Sequence, residues 1–201
     1  MADTLTTSWS ADTARADVAS DRAFRRYNGG AMVFHWLTAA LMFAILPVAW
    51  AMVSFAREDP NRDLWYLIHK SLGVTIFAVV VLRIIWRALT KPPSLDGRLP
   101  AWEAWMARVN HLLLYAILLV MPISGYILSS ASGHPVLYFG LFTIPGLPEN
   151  KPLAQAAVTV HVLTQWLVYL AIVMHLLGVV WHVAFRRDGT LERMLPRQTE
   201  A

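Results

Sequence analysis

The chain has 201 residues, 57% of them hydrophobic and only 15% charged, with a formal net charge of +4. Soluble domains carry about 25% charged residues, so this composition excludes an ordinary aqueous globular protein and points to a membrane. Cysteine is absent, which excludes disulfides, cysteine-held clusters and thioether attachment of a prosthetic group.

Residues 1–27, MADTLTTSWSADTARADVASDRAFRRY, are polar and rich in small side chains. They lack the apolar core of a secretory signal, and Asp3, Asp12, Asp17 and Asp21 argue against a transit peptide. The expectation is a disordered cytoplasmic tail. Residues 28–196 are expected to form one domain, an all-α integral-membrane four-helix bundle. Its spans are placed near residues 31–55, 64–89, 109–131 and 157–185, each long enough for a hydrocarbon core that needs about 20 residues. Pro47 and Pro122 fall inside the first and third spans, where membrane helices accommodate them as kinks. No internal repeat is visible.

Cations set the orientation. One side collects Arg15, Arg22, Arg25, Arg26, Arg87, Lys91, Arg98, Arg108, Arg186, Arg187, Arg193 and Arg197. The other has Arg57, Arg62, Lys70 and Lys151, offset by Glu58, Asp59, Asp63 and Glu149. Both termini are therefore expected in the cytoplasm. The positive charge follows from this topology and implies no nucleic acid.

The fourth span carries His161 and His175, fourteen residues apart. At about 100° and 1.5 Å per residue they share one stripe of the helix and lie about 21 Å apart along it. By depth, His69 in the second span is level with His161, and His35 in the first with His175. Imidazole is a preferred axial ligand of haem iron, so the depths suggest two bis-histidine sites: His69 with His161 on the outer side, His35 with His175 on the inner side. A ring lying against a helix needs small neighbours one turn from its ligand. His35 has Thr38 and Ala39, His69 has Gly73, His175 has Gly178, and His161 has Ala157 and Thr164. His111, followed by Leu114 and Tyr115, is crowded; His182 ends its span beside Phe185 and Arg186; His134 falls in the outer loop.

A single membrane histidine is often a helix–helix hydrogen bond, with Gly or Thr as ordinary packing. Four that pair by depth argue for ligation instead. A proton relay along His161, His175 and His182 is the weaker reading, because no Asp or Glu accompanies them within the spans.

The segments RYNGGAMVFHWLTAAL, LIHKSLGVTIFAVVVLRIIWRALTKPP, VNHLLLYAILLVMPISGYILSS, TVHVLTQWLVYLAIVMHLLGVVWH and DGTLERMLP resemble the bacterial cytochrome b561 family over nearly everything from Arg26 to Pro196. The resemblance implies a multi-pass cytochrome of the bacterial inner membrane with two haem b groups, ligated at His35, His69, His161 and His175. It also implies electron transfer between a donor on the outer face and quinone in the membrane. Some members look like superoxide oxidases that reduce ubiquinone. Lys70, next to His69, is the best-placed cation to attract superoxide, with Arg57, Arg62 and Lys151 as ordinary rim charges that could add to the field. His182, near Gly178, Arg186 and Arg187, is a candidate hydrogen-bonding tip for the quinone, and His111 a second. HPVLYFGLFTIPGLP reads as an interfacial belt of Tyr138, Phe139 and Phe142 that could also lid the outer haem edge. Another reading stays open: an electron-relay subunit fed by a periplasmic protein or dehydrogenase, with no turnover of its own.

Overall fold

The computed structural model describes residues 26–56, 58–90, 92–93 and 99–196. Residues 1–25 of the expected tail, and Arg57, Lys91, Arg98 and Arg197, lie outside them. Among the described residues, four helices are long and apolar enough to cross a membrane: Gly29–Ser54 (α1), Arg62–Leu89 (α2), Ala101–Ala131 (α3) and Lys151–Arg186. The last consists of Lys151–Val180 (α4) and a π turn over Trp181–Arg186.

Their starts follow from local chemistry. The Asn28 side chain accepts from Ala31 N at 2.9 Å and caps α1. Asn150 does the same for α4, accepting from Leu153 N at 3.0 Å, while Pro152 occupies the first turn, where its missing N–H costs nothing. Pro47 and Pro122 sit inside α1 and α3. Two helices begin earlier than hydropathy suggests: α3 at Ala101 rather than near Val109, and α4 at Lys151 rather than near Ala157. In each case the extra turns carry polar or charged residues that hydropathy discounts. Among them Glu103 is buried, with its carboxylate 3.6 Å from the Arg186 guanidinium.

Sequential helices pack side by side: α1 on α2, α2 on α3, and α3 most extensively on α4. Helix α4 makes no comparable backbone approach to α1 or α2. The buried apolar clusters among the described residues are correspondingly small, Ile76, Val80 and Leu118 in one and Ile117, Val168 and Ala171 in another. Large apolar side chains such as Phe43, Leu163 and Trp166 are exposed on the outer surface. In lipid such exposure costs nothing, because the hydrocarbon tails are as apolar as the side chains.

Two ends result. At one, Val136–Tyr138 (β1) pairs antiparallel with Phe142–Ile144 (β2) in a short hairpin that docks on α2. Phe139 N donates to Ser71 Oγ at 2.8 Å, and the Thr75 and Tyr138 hydroxyls lie 3.1 Å apart. The hairpin turn is tight: Phe139 and Gly140 both have positive φ (45° and 76°). Tyr138 stacks near Phe139 and Phe142 (centroids 4.9 and 5.2 Å), so the expected aromatic belt is a docked cluster at this end.

At the other end the first and last described segments meet. Tyr27 N donates to Arg193 O at 3.0 Å, Arg26 Nη1 to Leu195 O at 3.2 Å, and Trp36 Nε1 to Met194 O at 2.8 Å. Arg26 and Tyr27, which the sequence reading assigns to the tail, thus belong to the folded body.

Candidate functional site

Helix α4 presents two histidines to two different neighbours. Near the hairpin end the His161 ring lies 6.3 Å from that of His69 on α2, centre to centre, at an interplanar angle of 83°. Four turns away, near the termini, the His175 ring lies 6.1 Å from that of His35 on α1, at 57°. With a metal–imidazole bond of about 2 Å on each side and half a ring added beyond it, two axial imidazoles on one metal stand about 6 Å apart. Both pairs have that separation.

Both pairs also bridge helices that are not close-packed, α2 with α4 and α1 with α4. A flat macrocycle needs that slot. Beside it the glycines leave room: a Cβ built on Gly73, one turn from His69, or on Gly178, one turn from His175, would meet nothing within 4 Å.

His111 complicates the inner pair. Its ring stands 5.8 Å from that of His175, closer than His35 does. The two rings sit on differently packed helices: His111 on α3, the helix packed most extensively against α4, and His35 on α1, which makes no comparable approach to it. His111 Nδ1 bonds to Ala107 O, one turn earlier in its own helix, at 2.6 Å.

Hydrogen bonds fix which ring nitrogen is free. His161 Nδ1 lies 3.0 Å from Met121 O and 3.1 Å from Ser124 Oγ. A carbonyl only accepts, so Nδ1 carries the proton and Nε2 keeps the lone pair that a metal requires. His69 Nδ1 is buried without a hydrogen-bond partner. Gly125 makes the His161 arrangement possible, since a Cβ there would stand 3.0 Å from His161 Cε1. Sequence reasoning missed Gly125 and Ser124; the run ISGY on α3, facing a histidine helix, was the signal available. It also missed Arg83, whose Nη2 lies 3.0 Å from His35 Nδ1.

The remaining candidates are placed as follows. Lys70 is half-buried at the hairpin end and donates from Nζ to Ser129 Oγ at 3.2 Å. Arg62 is engaged with its own helix, its guanidinium 4.6 Å over the Tyr66 ring. His134 is exposed beside the hairpin. His182 sits in the π turn, where Nδ1 contacts Asp188 Oδ2 at 2.7 Å; Thr190 Oγ1 donates to Asp188 Oδ1 at 2.6 Å. Burial alone would raise the Asp188 pKa, but hydrogen bonds from Thr190 and His182 outweigh it and hold the carboxyl below its usual range. π turns of this kind recur at functional sites.

Facing imidazoles in a cysteine-free membrane bundle define a class: membrane cytochromes whose prosthetic group is held by side chains alone. The chain belongs to the prokaryotic cytochrome b561 family, whose model matches residues 26–197. The family's work is electron transfer with b-type haem, in the bacterial inner membrane. The chain is 33% identical over 182 residues to cytochrome b561 homolog 2 of Escherichia coli (strain K12), covering 87% of this chain and 93% of that one. It is 25% identical to cytochrome b561 homolog 1 of the same organism, covering 86% and 98%. It is also 25% identical to a probable superoxide oxidase, CybB, of Yersinia pestis, covering 87% and 98%.

Proposed function

We propose that the chain holds two b-type haems, one between His69 and His161 and one between His35 and His175, and uses them to oxidise superoxide at the periplasmic face and reduce ubiquinone in the membrane. The observation that carries this reading is the repetition of one ring geometry at two depths of α4, about 21 Å apart along its axis. Bound haem supplies a one-electron couple at each depth. The protein supplies position, charge and protons.

At the hairpin end, which the count of loop cations assigns to the periplasm, Lys70 places an ammonium beside the ligand His69 and attracts an anionic substrate toward it. Two superoxide anions give up one electron each and leave as dioxygen. At the opposite end one quinone takes up two electrons and two protons to become quinol. His182 is suited to the quinone's polar tip: Asp188 fixes its Nδ1 proton and leaves Nε2 facing outward from the dyad. The name of the Yersinia pestis relative supports superoxide as the substrate.

Stopped-flow mixing of the haem-loaded protein with superoxide, with and without ubiquinone, tests the reading. Rapid haem reduction followed by quinone-dependent reoxidation is expected. Superoxide loss no faster than spontaneous dismutation would instead make the chain an electron relay for a protein donor.

A further inference from the structure

Arg83 and Arg87 lie one turn apart on α2, and both guanidiniums cover the Tyr115 ring, at 5.3 and 5.8 Å. They line a small cleft with Tyr27, Asn28 and Trp86 at the termini end. Like charges at this spacing repel, and a cation within a membrane span is costly. Yet neither is paired with a carboxylate among the described residues; Glu103, the buried acid at this end, sits with Arg186. Arg83 instead spends its charge on a neutral ring, with Nη2 3.0 Å from His35 Nδ1.

The Arg83 guanidinium thus stands at the edge of the His35–His175 pair, a donor group with no carboxylate among the described residues to match its charge.

We propose that Arg83, assisted by Arg87, is a carboxylate clamp for a propionate of the porphyrin held by His35 and His175. This rests on the haem reading above. Arg83 offers the carboxylate a charge-assisted, bidentate-capable partner, and no covalent or electron-transfer step is involved.

The test loads haem-depleted full-length protein, in detergent, with iron protoporphyrin IX or with its dimethyl ester, which has no free carboxylate. Retention is read as haem per protein and as the rate of transfer to apomyoglobin, for wild type, Arg83→Gln and Arg83→Lys. The haem at His69–His161 reports in every sample that the bundle is folded. Esterification is expected to speed release from one of the two wild-type sites about tenfold or more, the scale of a lost charge-assisted hydrogen-bond pair. Arg83→Gln should speed release of the free acid similarly and make esterification nearly without effect, with Arg83→Lys between. If esterification costs Arg83→Gln the same factor as wild type, the clamp is refuted, and the cleft cations serve a lipid headgroup instead. If both haems survive His175→Ala, the ligand reading beneath the clamp falls with it.

Discussion

Gly125 gives the sharpest local test of how the hairpin-end site is built. A Cβ at that position would stand 3.0 Å from His161 Cε1 and 3.3 Å from Nδ1, where ordinary contact begins at 3.4 Å. Gly125→Ala therefore pushes the ring by about 0.4 Å, and Gly125→Val by more, since two further methyls must fit around the same crowded Cβ. The ring has little freedom to yield, because Nδ1 is tied to Met121 O at 3.0 Å and Ser124 Oγ at 3.1 Å. Disturbing such a partner of a metal-bound histidine typically weakens metal affinity about 10- to 100-fold, or roughly 1.4 to 2.7 kcal/mol. The assay is haem transfer to apomyoglobin, which resolves the two haems as two phases. Gly125→Val should accelerate the His69–His161 phase by that factor and leave the other unchanged. Gly29→Ala, at the start of α1 with nothing within 4 Å of the new Cβ, is the control. Release rates for Gly125→Val equal to wild type would refute the placement of His161 as a ligand held through Nδ1.

Two further predictions concern the ends of the path. Lys70→Ala should slow superoxide oxidation severalfold at low ionic strength, and the difference should shrink as salt shortens the Debye length below about 10 Å; equal rates at every salt concentration would remove Lys70 from the attraction. Asp188→Asn should preserve both haems while slowing quinone reduction about tenfold or more, because His182 loses the partner that orients its proton. The same carboxylate has a stability signature. Its pKa is lowered by folding, so its contribution is complete above the ordinary carboxylate value and is lost as pH falls through the lowered one. Protection factors over residues 188–195, corrected for the intrinsic exchange rate, should therefore fall in acid for wild type, and Asp188→Asn should abolish that fall.

Much of this arrangement was legible in residue spacing. Four spans follow from runs of apolar residues, and the fourteen-residue interval on α4 already placed two imidazoles on one stripe. Gly73 and Gly178 were visible as small neighbours, and the open space beside them is a matter of helix packing that agrees with their spacing. What spacing could not show is contact across helices. Arg83 carries no signal of its own in the sequence; the packing of α1 on α2 brings it to His35. Crowding by Leu114 and Tyr115 is what the sequence shows at His111, whereas its ring approaches His175 from the helix packed most extensively on α4. Asp188 was invisible as a partner because the chain must leave α4 and turn back at Arg187, in a left-handed conformation, before its carboxylate meets His182. The first turns of α3 were missed because a buried Glu103 lowers hydropathy without breaking the helix.

The central claim is that four histidines, paired as His69–His161 and His35–His175, carry two haems. Haem per protein, measured by the pyridine haemochrome spectrum on purified variants, tests it directly. Replacing any one of the four by Ala should remove one haem, about half of the b-type absorbance, while His111→Ala retains both. Loss of a haem from His111→Ala, or full retention in His175→Ala, would contradict the account.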